Sequence, residues 1–238
     1  MLPRLRTAII IPAAGNGVRL GRDCPKALVP LDGRPLLSVT LERLAEAGSC
    51  DVAVITAPAA SLQEISQAAA QARQSPAKII QIVEGGSTRC ASVFLALQAL
   101  AAIDDSIDIV GVHDAARPLV HPRVVREVFE AASRVGAATV ARRPVDSMRE
   151  DTQHGVRSVE RSRFWLVETP QAFQMELLVE AHRSALRDGF DATDDASLVE
   201  RYGAEIALVE SQEVNLKITR PEDLIVAEAL IQSLSERR

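Results

Sequence analysis

The sequence predicts an α/β fold, a mostly parallel sheet with helices on both faces. Two patterns carry that expectation. Short apolar runs alternate along the chain with segments whose apolar residues recur every three or four positions. The runs are also continuously apolar, as strands buried on both faces must be. With 238 residues, 47% hydrophobic and 25% charged, the chain can bury a substantial core.

Taken in order, strands are expected at 7–12, 51–56, 78–83, 108–112 and 137–141, with helices between them at 36–47, 61–73, 88–102 and 122–135. Gly48 and Gly136 fall just past two of these helices, where a left-handed cap is needed. Pro122 suits a first helical turn. The alternation breaks at Arg142. Residues 142–168 are polar and arginine-rich, with a short alternating stretch at 155–159, and read as an inserted β-hairpin arm. Helices near 175–186 and 194–202 follow, then a strand pair at 205–209 and 215–218. A last helix, 221–234, is opened by Thr219-x-x-Glu222 as a capping box. The expectation is one domain, 1–238, with an arm at about 142–168.

Composition removes several function classes. The net charge is −5 and aromatics are 3%, which offers nothing to nucleic acid. No apolar run approaches the ~18 residues of a membrane span, and the first apolar run reads as a strand and not a signal peptide. A cytoplasmic location is expected. Cys24, Cys50 and Cys90 are widely spaced without a CxxC, against a disulfide framework or zinc site, and read as buried structural residues. Of 27 basic residues only Lys26, Lys78 and Lys217 are lysines, so a lysine near a motif carries more information than an arginine.

Ligands of such sheets bind beyond the carboxyl ends of the strands. The segments leaving those ends are 13–26, 84–89, 113–118 and 142–148, all rich in Gly, Arg, Asp or Lys. The first, within IPAAGNGVRLGRDCPKALVPL, is not a dinucleotide fingerprint: its glycines are Gly15, Gly17 and Gly21, and helix begins only near Leu36. Nor is it a Walker loop, because Lys26 lies between proline and alanine. Small residues at 13–17 nevertheless let backbone N–H groups approach phosphates closely, and Arg19 and Lys26 add charge. A triphosphate substituted at its α-phosphorus needs that combination.

Together, PAAGNGVRL with CPK, GGSTRCASV, HDAARP, TPQAF, ATDDAS and NLKITRPEDL run in order from Pro12 to Leu224. In these motifs the chain resembles the 2-C-methyl-D-erythritol 4-phosphate cytidylyltransferases. The resemblance implies a Rossmann-like three-layer sandwich whose arm makes a homodimer. It also implies CMP transfer from CTP to methylerythritol phosphate, with Mg²⁺ held mainly by the CTP phosphates and no metal-ligating residue singled out. It assigns Arg19, Lys26 and Lys217 to the reacting phosphates. Ala13, Ala14, Gly15 and Gly17 would line the nucleotide, and Gly86, Ser87 and Ser92 would hold cytosine and ribose, with Arg89 structuring their loop. Asp114, Arg117 and Thr193 would face the acceptor, while Arg161 and Thr169 would reach its phosphate from the neighbouring subunit.

Blander roles stand beside these. Asp114 and Arg117 read equally as a local ion pair, Arg161 as one solvated cation among Arg157 and Arg163, and Thr193 as an N-cap. Asp194 and Asp195 read as first-turn acids complementing a helix dipole, and His113 as a packed residue. No nucleophile with a base and orienter is present in the motifs, so a single in-line displacement is expected. The rival readings are a pentitol-phosphate cytidylyltransferase and, further off, a nucleotide-sugar glycosyltransferase, which would want a DxD pair where the chain has His113-Asp114-Ala115.

Overall fold

Ile9, Ile10 and Ile11 leave no polar face, and the strand they form, β1 (Thr7–Pro12), lies inside the sheet with both sides covered. The computed structural model describes residues 5–15, 20–21, 24–48 and 50–236. Next come a small hairpin, β2 (Pro30–Leu31) and β3 (Arg34–Pro35), helix α1 (Leu36–Ala45), β4 (Cys50–Ala57), α2 (Leu62–Ala70), β5 (Ala77–Glu84), α3 (Arg89–Ile103), β6 (Ile109–Val112), α4 (Pro122–Val135) and β7 (Ala137–Arg142). The arm hairpin is β8 (Arg149–Thr152) and β9 (Gly155–Ser158). After it come β10 (Leu166–Gln174), α5 (Met175–Asp188), α6 (Asp195–Arg201), β11 (Ala207–Glu210) and α7 (Pro221–Glu236).

Seven strands form one sheet in the order β11-β7-β10-β6-β1-β4-β5. Neighbours are parallel except β10, which runs antiparallel to both β6 and β7. Side chains of alternate strand positions feed two cores, because successive residues point to opposite faces. Ile10, Val52, Val54 and Val110 pack with α3, α5 and α6 on one face. Ile9, Ile11, Ala53 and Ile55 pack with α1, α2 and part of α4 on the other. The three-layer α/β architecture is as expected. A further cluster joins Leu31 and Leu36 to Ile218 and Ala227, which seats α7 beside the small hairpin.

Four expectations need correction. The stretch after the arm is not simply a return to helix: 166–174 is β10, inserted between β6 and β7, so the arm gives way to the sheet at Leu166. Residues 215–218 are not a strand. They are tied instead to the loop after β6, with Ile218 N–H donating to the Ala116 carbonyl (2.9 Å) and Arg117 Nη1 to the Asn215 carbonyl (2.7 Å). Without that partner, β11 pairs in parallel with β7. The start of α7 is capped by Asp223 and not Glu222: its Oδ2 accepts from Thr219 N and Oγ1 and from Arg220 N, at 2.7–2.8 Å. Finally, α6 is N-capped by Asp194, whose Oδ1 accepts from Ser197 N (3.1 Å), so Thr193 does not cap.

Candidate active site

Because β10 is antiparallel to its neighbours, its beginning, not its end, lies at the carboxyl edge of the parallel strands. That edge therefore gathers the turns after β1, β5 and β6 together with Thr169. A cleft of about 360 Å³ opens there, walled by Ala13–Gly15, Lys26, Gly86–Arg89, Ser92, Asp114 and Lys217. A second hollow of about 520 Å³ shares Lys217 and is walled by Arg117, Arg142, Glu168 and Asn215. Arg19 and Gly17 lie outside the described residues.

Each wall has a local cause. Pro25, with φ −52° and ψ 135°, feeds a single tight turn, Lys26–Leu28, and Lys26 N–H closes the loop on the Gly15 carbonyl at 3.0 Å. The Gly86–Arg89 loop is held by Ser92, whose Oγ accepts from Gly86 N (3.1 Å) and donates to the Thr88 carbonyl (2.8 Å). Thr88 caps α3 by accepting from Ala91 N. Gly86 must be glycine, since a Cβ there would stand 2.5 Å from the Ala91 Cβ and 3.0 Å from its carbonyl carbon. Gly86→Ala will therefore displace the loop and break its bond to Ser92. Binding of a ligand held by that loop should weaken roughly tenfold, the worth of one lost hydrogen bond, in a calorimetric titration.

Asp114 is the centre of the site. Its Oδ2 meets Lys217 Nζ at 2.7 Å and Arg117 Nε at 3.6 Å, and its Oδ1 accepts from Arg89 Nε at 3.3 Å. Burial alone would raise its pKa, but Arg89, Lys217 and Arg117 outweigh it and hold the carboxyl far below the usual range. The ion pair of Asp114 with Arg117 is thus real but only one arm of a three-cation cluster. Arg89 also donates from Nη1 to Asp195 Oδ2 at 2.6 Å.

His113 and Thr169 brace Asp114 from behind. The Asp114 N–H donates to Thr169 Oγ1 at 3.0 Å. His113 Nε2 faces the Arg117 carbonyl at 3.1 Å, an acceptor only, so it carries the proton and Nδ1 accepts from the Thr169 hydroxyl at 3.2 Å. The ring is fully buried, and desolvation pushes its pKa down from 6.5 to about 4. The unfolded chain therefore binds a proton below pH 6.5 that the folded chain refuses until about pH 4. Stability should fall by about 3 kcal/mol as pH drops through that window. Urea unfolding at pH 7, 5.5 and 4.2 should show this slope, and His113→Gln should flatten it.

Thr169 thus sits in β10 against Asp114 of its own chain, its hydroxyl already engaged, and not on the arm. Arg161 does lie on the arm, donating to the Val145 carbonyl, and is exposed. Thr193 is exposed just before α6. The three cysteines form no disulfide among the described residues and are only partly buried, the thiol of Cys50 being pushed up to about 11 by burial. Sequence reasoning missed Gln171, fully buried in β10. Its Oε1 accepts from Asp195 N and Ala196 N, and its Nε2 donates to Thr139 Oγ1 and Asp194 Oδ2. It also missed His182, although Leu178, Ala181, His182 and Ala185 show the i, i+3, i+4, i+7 spacing of a buried helix face.

A phosphate-accommodating loop, two lysines and a cation-ringed aspartate at the carboxyl edge of a mostly parallel sheet define a nucleotidyltransferase. The chain belongs to the family described as IspD: 2-C-methyl-D-erythritol 4-phosphate cytidylyltransferase, whose model matches residues 7–233. A relative of that name from Thermus thermophilus is 43% identical, over 95% of this chain and 97% of its own. The crystal structure of a 2-C-methyl-D-erythritol 4-phosphate cytidylyltransferase from Thermus thermophilus superposes with a TM-score of 0.75 at 38% identity, covering 96% of this chain and all of that one. A 4-diphosphocytidyl-2C-methyl-D-erythritol synthase from Anaerococcus prevotii gives a TM-score of 0.82 at 26% identity, covering 96% of each chain.

Proposed function

We propose that the protein transfers CMP from CTP to 2-C-methyl-D-erythritol 4-phosphate, giving 4-diphosphocytidyl-2-C-methyl-D-erythritol and pyrophosphate in non-mevalonate isoprenoid precursor synthesis. The observation that carries this reading is the cleft lined by Lys26, Lys217 and the Gly86–Arg89 loop, with Lys217 paired to Asp114.

In the reaction, an oxygen of the acceptor phosphate attacks the α-phosphorus of CTP. The bond from that phosphorus to the bridging oxygen breaks, and pyrophosphate leaves with the electron pair. The acceptor is a phosphate monoester, largely ionised at neutral pH with a second pKa of about 6, so no general base is needed. Lys26 and Lys217, with Arg19, offset the charge carried by two phosphate-bearing reactants. The backbone of 13–15 and the loop of Gly86, Ser87 and Ser92 hold the nucleotide. Asp114, which lines the first cleft, and Arg117, which lines the second hollow, orient the acceptor, and Thr169 fixes Asp114.

Mg²⁺ would accompany the triphosphate in this reading, since the carboxylate of Asp114, the acid lining the cleft, is already ringed by cations. Bound there, it would screen phosphate charge. No helix among the described residues is long and apolar enough to cross a membrane; a cytoplasmic location is part of this reading. So is a homodimer through the arm. The two-stranded hairpin of the arm is marginal by itself, and Val145, Val156 and Phe164 stand exposed on it, as a surface awaiting a cover would. Dimerisation would carry Arg161 toward a partner's acceptor site.

The test is pyrophosphate release from CTP and Mg²⁺ with a panel of polyol phosphates. Turnover with methylerythritol phosphate is expected. Turnover confined to ribitol phosphate would overturn the choice of acceptor.

A further inference from the structure

Asp195 is fully buried at the start of α6, where a first-turn acid would ordinarily face water. Its Oδ2 accepts from Arg89 Nη1 at 2.6 Å, and its Oδ1 accepts from His182 Nε2 at 3.0 Å. Arg89 in turn reaches Asp114 through Nε. Three helices, α3, α5 and α6, thereby contribute one side chain each to a chain of charge that ends at the cleft.

We infer that Asp195 and His182 are positioning residues for the transfer reaction, acting through Arg89 to fix Asp114 on the acceptor side. The inference rests on the reaction proposed above. Arg89 holds a rigid planar fork between two carboxylates, so the place of one sets the place of the other. His182 keeps Asp195 from rotating: it is buried, and the Phe94 ring stacks on it with centroids 6.0 Å apart. Because Nε2 donates to the carboxylate, Nδ1 is left to accept from the Cys90 thiol at 3.6 Å. Burial and the nearby Asp195 and Asp191 push the pKa of that thiol up, which disfavours the thiolate. The thiol completes the hydrogen bonding of the histidine.

The effect should be felt more at the acceptor than at CTP, because Arg89 touches Asp114, the acceptor's orienting group in the proposed reaction, while the Gly86 N–H of the loop that Arg89 ends is held by Ser92. Asp195→Asn should raise the acceptor KM and lower kcat, each about tenfold, with the KM for CTP within about twofold. His182→Leu should move the same two constants, and His182→Gln, which restores a donor to Asp195, should recover them. Removing both charges is the sharper probe: Arg89→Gln/Asp195→Asn should be no worse than Arg89→Gln, since a residue acting through another is not additive with it.

Additive losses, or equal rises in both KM values, would contradict the positioning role. If Asp195→Asn fails to fold, the two His182 variants decide. A wild-type protein that makes no pyrophosphate with methylerythritol phosphate would instead contradict the reaction itself, and this inference with it.

Discussion

Lys26→Ala will lower kcat about 100- to 1000-fold while leaving the fold intact, the usual cost of deleting one preorganised donor to developing charge. The reason is positional. Lys26 starts a tight turn set by Pro25 and hydrogen-bonded to the Gly15 carbonyl, so its backbone is held at the wall of the cleft. In the transition state, charge accumulates on oxygens around the α-phosphorus and on departing pyrophosphate. A fixed cation gains more there than with the ground-state triphosphate, so kcat falls more than the KM for CTP rises. Steady-state kinetics beside a thermal melt checks this. The melting temperature should stay within about 2 °C, as for a surface change of about 0.5 kcal/mol. Near-normal turnover would remove Lys26 from the mechanism.

Asp114→Asn should be harmful in two measurable ways at once. The wild-type carboxylate separates Lys217, Arg89 and Arg117, which otherwise repel one another in a largely buried setting. Deleting its charge leaves that repulsion uncompensated, and breaking a buried pair from one side typically costs about 3–5 kcal/mol. Urea unfolding at pH 7 reads this loss directly. Acid unfolding gives an independent check of sign. A carboxylate held below its ordinary range stabilises fully above the unfolded pKa of 3.8 and loses that contribution only as pH falls through its lower folded value. The variant should therefore be less stable at pH 7 and show a shallower loss below pH 3.8. Its kcat/KM for the acceptor should also fall by about 1000-fold, because Lys217 loses its anchor and the acceptor its orienting group. An Asn variant as stable as the wild type would contradict the cluster.

The parts of the fold written in continuous apolar residues were legible. Strands β1, β4, β6 and β7 lie within a residue or two of their expected bounds, as short continuous runs of Ile, Val and Ala buried in a sheet do. β5 matches its bounds as closely, but it is an edge strand, and Ile79 and Ile80, expected to be buried, stand exposed. β10 was not legible. Its buried stretch, Glu168–Phe173, opens with Glu-Thr-Pro-Gln, and the hydrogen bonds of Gln171 to Thr139, Asp194 and the backbone of α6 make that amide tolerable in the middle of a sheet. The segment 215–218 misled in the opposite sense: Leu216 and Ile218 pattern as a strand, yet bury against the small hairpin and α7. At the site, Lys26 and Asp114 could be singled out because their segments leave strand ends, and Lys217 because lysines are rare, with their roles given by the resemblance of their motifs. That Asp114 gathers three cations could not, since Arg89 and Lys217 lie 25 and 103 positions away in sequence. The partnership of Arg89 with Asp195 spans 106 positions and is set only when α3 and α6 meet on one face of the sheet.

An oxygen-labelling experiment decides the chemistry. Methylerythritol phosphate carrying ¹⁸O in its phosphate is incubated with CTP, Mg²⁺ and purified protein, and the products are weighed by mass spectrometry. Direct attack of the acceptor phosphate on the α-phosphorus puts all of the label in diphosphocytidyl-methylerythritol and leaves pyrophosphate unlabelled. Label in the released pyrophosphate, or no diphosphocytidyl product at all, would contradict direct CMP transfer in this cleft.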